Sequence, residues 1–217
     1  MTKQLTRRGR ERRRQLLDYS IRRFAENGYH PTSVDELVNG IGVGKGVFYW
    51  YFASKEELLG EILHEAQHDL RRYQHGAIRD EPDPVERITT GIRASMAWLS
   101  SHRDLFTLFE FAVLDERFRP MVRRGQDVAV GDVARHVEDA MLAGSIAGAD
   151  PLVVAHAILG VTNQLARTFV LHRGDEWEQV ADAAVAFCLT GLFGRPGRGQ
   201  PAVEVGPPAL ISAAPGG

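Results

Sequence analysis

The chain has 217 residues, of which 44% are hydrophobic and 25% charged, a composition typical of a globular protein with a sizeable core. Its formal net charge is −2, and its single cysteine, Cys188, excludes an internal disulfide and a cysteine-cluster metal site. No run of 18 apolar residues predicts a membrane span, and no apolar stretch follows the basic N-terminus as in a secretory signal. We therefore expect no membrane association and a cytoplasmic location.

Charge is distributed unevenly along the chain. Residues 1–55 hold 11 Lys and Arg against 5 Asp and Glu, whereas residues 56–217 hold 15 against 23. A basic end of this kind is typical of a phosphate-binding surface, although a solvated basic tail explains the Lys and Arg of residues 3–10 equally well. The first helix is expected to begin at residues 12–14, where an apolar stripe at helical spacing follows.

Residues 33–58 begin with a short helix and a tight turn. Ser33 and Glu36 form a capping-box pattern, in which a side-chain oxygen accepts a hydrogen bond from a backbone N–H in the first helical turn. Gly40 and Gly42 are suited to end this helix, because glycine adopts positive φ without steric cost.

A second short helix is predicted over residues 45–52, with Phe48 and Phe52 four apart on the side that faces the core. Ser54 and Glu57 form another capping box that opens a third helix. Two short helices joined by a glycine turn make a helix-turn-helix, whose second helix can enter the DNA major groove.

These residues resemble the DNA-binding end of the tetracycline-repressor (TetR) family of bacterial regulators. The matching segments are Phe24–Tyr29, Thr32–Val34, Gly42–Tyr49 and Phe52–Leu58, so the resemblance is specific over about residues 10–63. Beyond that range the likeness is architectural.

Two positions depart from the family pattern. Gly44 stands where the family usually has Ser or Thr, so the second helix lacks a side-chain cap, at a cost of a few tenths of a kcal/mol. Val47 stands where a small or hydroxylated residue is common, and valine cannot hydrogen-bond to a base edge or a phosphate.

The motif and the resemblance together imply a set of DNA-binding residues. Tyr49 and Lys55 are expected to hold the DNA backbone, and Lys45, Val47 and Trp50 are expected to face the groove. The full predicted set is Thr32, Ser33, Gly44, Lys45, Gly46, Val47, Tyr49, Trp50, Tyr51 and Lys55.

The rest of the chain shows helical patterns and no convincing strand. Asp83-Pro84 and Asp150-Pro151 each combine an N-cap with proline at the first helical position. The predicted helices after residue 53 span residues 54–79, 84–99, 104–114, 120–143, 151–173 and 176–193.

The predicted fold class is all-α with about nine helices. It comprises an N-terminal three-helix helix-turn-helix unit and a C-terminal helical body for ligand binding and dimerisation. The predicted domains are a basic arm and DNA-binding domain over residues 1–55, an effector-binding and dimerisation domain over 56–194, and a disordered tail over 195–217.

The last two helices are apolar on more than one face, so they need covering on several sides. A partner subunit is the expected cover, with ordinary intradomain core as the alternative; the resemblance implies dimerisation through these helices. The two predicted stripes are Val154, Ile158, Val161, Leu165 and Phe169, and Val180, Ala184, Phe187, Leu189 and Leu192.

Apolar residues with a few polar groups among them suggest a ligand pocket in the body, although ordinary core explains each apolar residue as well. Arg167 is suited to pair either with an anionic ligand or with an acidic side chain such as Glu110. The predicted ligand-binding residues are Met96, Trp98, His102, Phe106, Phe109, Met121, Asn163 and Arg167.

His64-Glu65-Ala66-Gln67-His68 matches the H-E-x-x-H zinc-protease pattern, in which two histidines bind zinc and the glutamate acts as base. A third ligand is lacking, because His75 lies seven residues on, roughly 10 Å along a helix. We therefore predict no metal site, no cofactor and no catalytic residue.

The predicted function is a ligand-responsive transcriptional regulator, a repressor that binds a palindromic operator in double-stranded DNA as a homodimer. The resemblance implies release by a small apolar or amphipathic effector that shifts the fourth helix and changes the separation of the two recognition helices. A zinc-dependent hydrolase using His64 and His68 is the alternative from another class, and a regulator without an effector is a third.

Overall fold

A computed structural model describes residues 6–146 and 149–193, and the tail predicted for residues 195–217 lies outside them. The described residues form nine α-helices and one π-helical segment, which confirms the all-α class. None of these helices has the length and apolar character that crossing a membrane requires. In chain order they are α1 (Arg7–Asn27), α2 (Val34–Gly40), α3 (Lys45–Tyr51), α4 (Lys55–Ile78), α5 (Pro84–Ser101), α6 (Arg103–Leu114), α7 (Arg119–Leu142), α8 (Pro151–Leu165), the π-helical segment (Ala166–Arg173) and α9 (Trp177–Phe193).

The four predicted N-caps are confirmed. Ser33, Ser54, Asp83 and Asp150 each accept a hydrogen bond through a side-chain oxygen from a backbone N–H in the first turn of the following helix, at 2.8–3.1 Å. Such caps satisfy N–H groups that have no partner within the helix, and this is why local sequence marks these helix starts well.

One predicted helix start was wrong, and one predicted helix changes its winding part of the way along. The first helix begins at Arg7 rather than at residues 12–14, because the hydroxyl of Thr6 accepts a hydrogen bond from the backbone N–H of Gly9 and caps an earlier turn. The predicted helix over residues 151–173 continues, but as a π-helix after Leu165, and apolar periodicity does not distinguish this wider winding from an α-helix.

The apolar core beneath the helix-turn-helix extends well beyond α1–α3. Its buried residues include two turns of α4 and residues of α6 and α7, so a domain boundary after residue 55 falls within the first turn of α4. The contributions from the body are Leu58, Leu59, Ile62, Leu63, Leu108, Ala112, Phe118 and Val122.

A second core fills the body, where α5 packs against α4, α7, the π-helical segment and α9. Val154 and Ile158 are buried in it, and Val161, Leu165 and Phe169 pack against it, so the predicted α8 stripe faces inward rather than toward a partner. The expected cover by a partner subunit is therefore wrong for this stripe, and the alternative of intradomain core holds.

In α9 some residues of the predicted stripe face the body core and others face solvent. Val180 and Ala184 are buried in the body core and Leu189 packs against it, whereas Phe187 is 63% exposed. Leu192 is not among the side chains that the structure describes. Cys188 is buried, and burial raises the pKa of its thiol.

Candidate nucleic-acid interface

The turn between α2 and α3 uses its two glycines differently. Gly42 has φ of 68°, and the N–H of Val43 donates to the carbonyl of Val38 at 2.9 Å, which closes the end of α2. Gly40 has no positive φ; instead, a Cβ placed there would lie 2.0 Å from the ring of Tyr19. Gly40 therefore leaves room for the end of the Tyr19 ring of α1 to lie against α2, a role that sequence alone did not show.

One side of α3 is fixed in the core. Phe48 is completely buried and Phe52 nearly so, and the partly buried Val43 packs against the same cluster. The prediction that these three side chains face inward is confirmed. Because α3 has only seven residues, its position depends on this packing rather than on its own helical stability.

The opposite side of α3 faces solvent. Tyr49 is 56% and Trp50 48% exposed, although large aromatic side chains are usually buried in part or in full. Val47 is half-buried between the two sides. Space is open around Gly44 and Gly46, so no side chain separates the start of α3 from an approaching ligand.

Lys45 is the exposed cation at the start of α3. Its Nζ lies 2.8 Å from Oδ2 of Asp35 on α2, and both side chains are more than half exposed. An ion pair this exposed contributes little to stability, so the ammonium can exchange Asp35 for another anion at small cost.

Lys55 is not available to DNA in the way the sequence predicted. Its Nζ donates to the backbone carbonyls of Tyr29, His30 and Thr32 at 2.8, 3.3 and 2.7 Å, and it lies 4.4 Å from the centre of the Tyr29 ring. Since an ammonium has three N–H donors, all are used within the chain. Burial lowers its pKa.

Three other predicted DNA contacts also have structural roles. Thr32 is fully buried, and its hydroxyl donates to the carbonyl of Gly28 at 2.8 Å, so this side chain cannot touch DNA. The Tyr51 hydroxyl donates to the carbonyl of Gly9 at 2.8 Å and ties α3 to the first turn of α1. Ser33 is exposed, but its hydroxyl caps α2.

The sequence did not reveal the junction between the helix-turn-helix and the body. Tyr29 is buried, with its ring centre 5.2 Å from that of Phe111 and 5.5 Å from that of Phe118, at the corner between α6 and α7. Arg117 at the same corner contacts Glu56 of α4 at 3.1 Å and pairs with Asp115 at 2.8 Å. The hydrogen bonds from Arg117 lower the pKa of Asp115 to about 2.

In the body, the predicted ligand-binding residues are mostly core. Met96 and Trp98 are buried in the body cluster, and the indole N–H of Trp98 donates to Asp69 at 2.9 Å. The His102 ring stacks on that of Trp98 with centres 4.1 Å apart. Phe106 and Phe109 pack against the same cluster.

The remaining three predictions are also placed away from a pocket. Met121 packs against the core beneath the helix-turn-helix, and Asn163 is exposed. Arg167 contacts Glu110 of α6 through its Nε at 2.6 Å, which is the alternative that the sequence left open. None of the eight predicted residues lines either of the two cavities found in the body.

The better-formed cavity, here called the body pocket, lies between α4, α5, α7 and α8. Its volume is about 60 Å³ and its walls are mostly apolar. The lining residues are Gln74, His75, Ile78, Arg87, Ile88, Gly91, Ile92, Ser95, Ala129, Asp132, Val133, His136, Ile158, Leu159 and Thr162.

The body pocket adjoins an open cleft of about 530 Å³, here called the basic mouth, with which it shares four residues. Two polar atoms on this boundary, Nε of Arg87 and Nδ1 of His136, are buried and have no hydrogen-bond partner. Buried polar atoms without partners are rare in native structures. Residues of the basic mouth are Arg72, His75, Gly76, Ile78, Arg79, Glu81, Arg87 and His136.

His64 and His68 lie on one exposed face of α4, with ring centres 4.5 Å apart. Within residues 6–146 and 149–193 there is no group of three or more His, Cys, Asp or Glu side chains arranged to hold a metal ion. The geometry therefore gives no support to the hydrolase alternative.

Comparison with known families agrees with this architecture. Residues 16–62 match the model of bacterial regulatory proteins of the tetR family, and residues 81–192 match the tetracyclin repressor-like C-terminal domain. The chain belongs to the TetR family of transcriptional regulators, whose fold and function are those of DNA-binding regulators rather than of enzymes.

Individual relatives are distant. The HTH-type transcriptional repressor KstR2 of Mycobacterium tuberculosis is 29% identical over 99 residues, which are 46% of this chain and about half the length of that relative. The TetR-family regulator PfmR of Thermus thermophilus has a TM-score of 0.70 at 25% identity, covering 80% of this chain and 96% of PfmR. AibR, solved with isovaleryl coenzyme A and operator DNA, has a TM-score of 0.69 at 24% identity, covering 84% of this chain and 98% of AibR.

Proposed function

We propose that this regulator is a ligand-responsive repressor that binds a palindromic operator as a homodimer. The observation that carries the proposal is the two-sided α3, which Phe48 fixes in the core while Lys45, Tyr49 and Trp50 project into solvent. An aromatic and basic face on the second helix of a helix-turn-helix suits the major groove and its flanking phosphates.

The DNA contacts that we propose are narrower than the sequence predicted. Lys45, Tyr49 and Trp50 supply side chains, Val47 supplies an apolar contact, and Gly44 and Gly46 let the backbone approach the phosphates. Thr32, Tyr51 and Lys55 act indirectly, because their side chains hold the recognition helix and the segment before α2 in place.

The homodimer is proposed to form through the outer faces of α8 and α9. Val153, Ala157 and Gly160 lie on one exposed face of α8, and Ala183 and Phe187 lie on one exposed face of α9. Small residues allow two helix pairs to approach closely, and Phe187 supplies apolar area at the centre. A two-fold dimer presents two copies of α3, which is why we propose a palindromic operator.

The effector is proposed to bind in the body pocket, and α4 couples this pocket to the DNA-binding end. Ile78 near the end of α4 lines the pocket, whereas Leu58 and Leu59 near its start lie in the core beneath α3. The helix has 24 residues, about 36 Å at 1.5 Å per residue. A ligand that favours one position of α4 would thus shift the separation of the two recognition helices.

Two relatives support parts of this proposal. KstR2 is described as a repressor, and AibR was solved with both an acyl coenzyme A and operator DNA. A regulator of this fold can therefore hold a small molecule and DNA.

Selection of bound duplexes from a random-sequence library with the full chain tests the proposal. We expect a palindrome whose half-site centres are one helical turn, about 10–10.5 bp, or a multiple of it apart. Affinity should fall steeply between 50 and 200 mM salt as counterions are released. A monomer that bound the palindrome tightly, or the absence of any enriched palindrome, would contradict it.

A further inference from the structure

We infer that the body pocket and the basic mouth together form a recognition site for a small amphipathic anion, with a short acyl chain in the pocket and the anionic group held by Arg87 and His136. This inference rests on the proposed function, because it names the chemical class of the effector. Neither residue is among the eight predicted ligand-binding residues.

The apolar end of the site limits the length of the ligand's acyl chain. Ile88 and Ile92 from α5, Val133 from α7 and Ile158 from α8 surround a cavity of about 60 Å³. A dry cavity of about 150 Å³ holds benzene, and one water occupies about 30 Å³ in the liquid. The body pocket therefore accepts two or three carbon atoms as it stands, which fits the end of a short or branched chain and excludes a ring system without movement.

The polar end carries one guanidinium N–H and one imidazole nitrogen that have no hydrogen-bond partner. Nη1 of Arg87 donates to Asp139 at 3.0 Å and Nη2 to the carbonyl of Pro82 at 3.3 Å, so these bonds hold the guanidinium while its buried Nε remains unpaired. Nδ1 of His136 is buried and unpaired at the same boundary. A guanidinium N–H can only donate, so the group that completes Arg87 carries an acceptor oxygen.

The charges around this boundary favour an anion. The basic mouth holds Arg72, Arg79 and Arg87 against Glu81. Arg72 is paired with Asp69 at 2.8 Å and Arg87 with Asp139 at 3.0 Å, whereas Arg79 has no ion pair with any side chain the structure describes. Asp132 is the acidic residue of the pocket wall, and it is already paired with Arg71 at 2.7 Å and with Arg135. A cationic ligand would be repelled by the guanidinium of Arg79, whereas a carboxylate or a phosphate could pair with it.

The same geometry connects the ligand to α4. Arg79 follows the last residue of α4, Arg87 lies in the first turn of α5, and His136 lies on α7. An anion held by Arg87 and His136 beside Arg79 would join the C-terminal end of α4 to its neighbours. This end lies opposite the α3 contacts of α4, so the recognition site is placed where binding can bias the position of the whole helix.

Isothermal titration of the full chain with matched ligands tests the inference. The probes are isovalerate, its neutral isostere isovaleramide, the cation isoamylammonium, isovaleryl coenzyme A and coenzyme A alone. We expect the anions that carry the acyl chain to bind at least about 10-fold more tightly than the amide or the ammonium. Binding of the amide as tightly as both acyl anions would overturn the inference.

The dependence of affinity on the length of the acyl chain provides a second test of the inference. From acetate to butyrate, each methylene that enters the pocket should tighten binding by about fourfold, which corresponds to about 0.8 kcal/mol per buried methylene. Affinity should then stop rising once the cavity is full. A continued rise through decanoate would contradict a pocket of this size. If the free acids bind more tightly than the coenzyme A thioesters, the carboxylate is the group that Arg87 and His136 hold. A thioester places a neutral carbonyl at the end of the acyl chain and its phosphates beyond the pantetheine. Tighter binding of the thioesters would therefore place the anion further out in the basic mouth and overturn the assignment to Arg87 and His136.

Three variants assign the anionic group to its residues. Arg87→Gln and His136→Gln should each weaken binding of the tighter acyl anion at least about 10-fold while changing that of isovaleramide less than twofold. Arg123→Gln is the matched control, because Arg123 is an exposed arginine of α7 outside both cavities. Should Arg87→Gln fail to fold, His136→Gln decides alone, and unchanged anion affinity in a folded variant overturns the assignment.

Operator binding of the ligand-free wild type is measured separately. If the chain binds its selected palindrome and none of the anions binds the chain, this inference fails and the DNA-binding proposal stands. If the anions bind as expected and no operator is found, the recognition site stands and the proposed function fails.

Discussion

At Lys55 a single ammonium group joins three backbone carbonyls of the segment that precedes α2. The contact with the Tyr29 ring places the same group against the body, so one residue organises both the approach to the helix-turn-helix and its junction. The sequence gives only a lysine at the start of a helix, a position that attracts phosphate in many proteins. Only the folded positions of residues 29–32 reveal the competing acceptors.

Lys55→Ala should therefore lower stability rather than remove a phosphate contact. We expect a loss of about 1–3 kcal/mol in urea unfolding, because the carbonyls lose a charged donor and the Tyr29 ring loses its cation. Operator affinity should fall only in proportion to the fraction of protein whose DNA-binding end is unfolded. A variant of unchanged stability whose salt slope flattens by one unit would show a phosphate contact instead.

Lys45→Ala should behave in the opposite way. Its exposed ion pair with Asp35 contributes little, so stability should change by less than about 0.5 kcal/mol. Operator affinity should fall, with a salt slope reduced by about one unit if Lys45 meets a phosphate, or with relaxed preference at one base pair if it reads a base. Unchanged affinity for the selected palindrome would remove Lys45 from the interface.

His136 makes stability depend on pH in a narrow window. Burial, followed by the charge of Arg87, lowers its pKa below the usual 6.5. Its stabilising contribution is thus present above pH 6.5 and is lost as pH falls through the lowered pKa.

The melting temperature of the wild type should fall between pH 7.5 and 5.5 more than that of His136→Gln. The free energy of unfolding should depend more steeply on pH in the wild type than in His136→Gln. Because a single proton is involved, the difference between the two slopes is at most about 1.4 kcal/mol per pH unit. Asp69 and Asp115, whose pKa values are lowered from 3.8, stay ionised throughout this window and do not contribute. Equal slopes in the two proteins would show that His136 protonates freely in the folded chain.

At the scale of elements, α3 shows how a seven-residue helix is positioned. Such a helix is too short to be stable alone, so Phe48 and Phe52 determine where its outer face points. Spacing four apart was enough to predict these two residues as inward-facing, because the helix period alone assigns one face. The predicted caps at Ser33, Ser54 and Asp83 are confirmed for the same reason: each depends on neighbours within three residues.

Phe48→Ala should unfold the DNA-binding end by removing a completely buried ring. We expect a loss of about 3–5 kcal/mol in urea unfolding, the usual cost of this substitution in a core. Tyr49→Ala is the matched control, because the neighbouring aromatic is 56% exposed; it should change stability by less than about 1 kcal/mol and still weaken operator binding. Equal destabilisation of the two variants would mean that α3 is oriented differently.

The elements that sequence could not place are those defined by distant contacts. The predicted α8 helix turns into a π-helix at Ala166, where Arg167 and His172 both reach Glu110 of α6, at 2.6 and 3.6 Å. The body pocket likewise depends on how four helices meet. Its residues Arg87 and His136 lie 49 positions apart, and nothing in their local sequence indicates that they share a cavity wall.

At the scale of the whole molecule, the outer faces of α8 and α9 are the surfaces through which we propose dimerisation. Leu152 and Val153 at the start of α8 and Phe187 on α9 are each more than half exposed. The predicted stripes contained Phe187, but most of their other residues fill or pack against the body core. Period and composition cannot separate an intradomain face from an intersubunit face when both are apolar.

Phe187→Asp should give a folded monomer, because the side chain is already 63% exposed within one chain. Sedimentation velocity should show the loss of the dimer, and affinity for the palindrome should fall, since a single subunit supplies half of the contacts. Tyr73→Asp, at an exposed aromatic on α4, is the control and should remain dimeric. A dimeric Phe187→Asp protein would place the interface elsewhere.

The shared core beneath the helix-turn-helix has a consequence for modular exchange between relatives. Leu108, Ala112 and Phe118 of the body complete the apolar cluster that α1–α3 begin, and Tyr29 packs directly on the corner between α6 and α7. A hybrid protein made by joining residues 1–55 to the body of a distant regulator would pack two sets of apolar side chains that do not fit each other in size and shape. A functional hybrid should therefore need the α6–α7 corner transferred together with the helix-turn-helix. Among related proteins, substitutions on one side of this shared core should be accompanied by compensating substitutions on the other side.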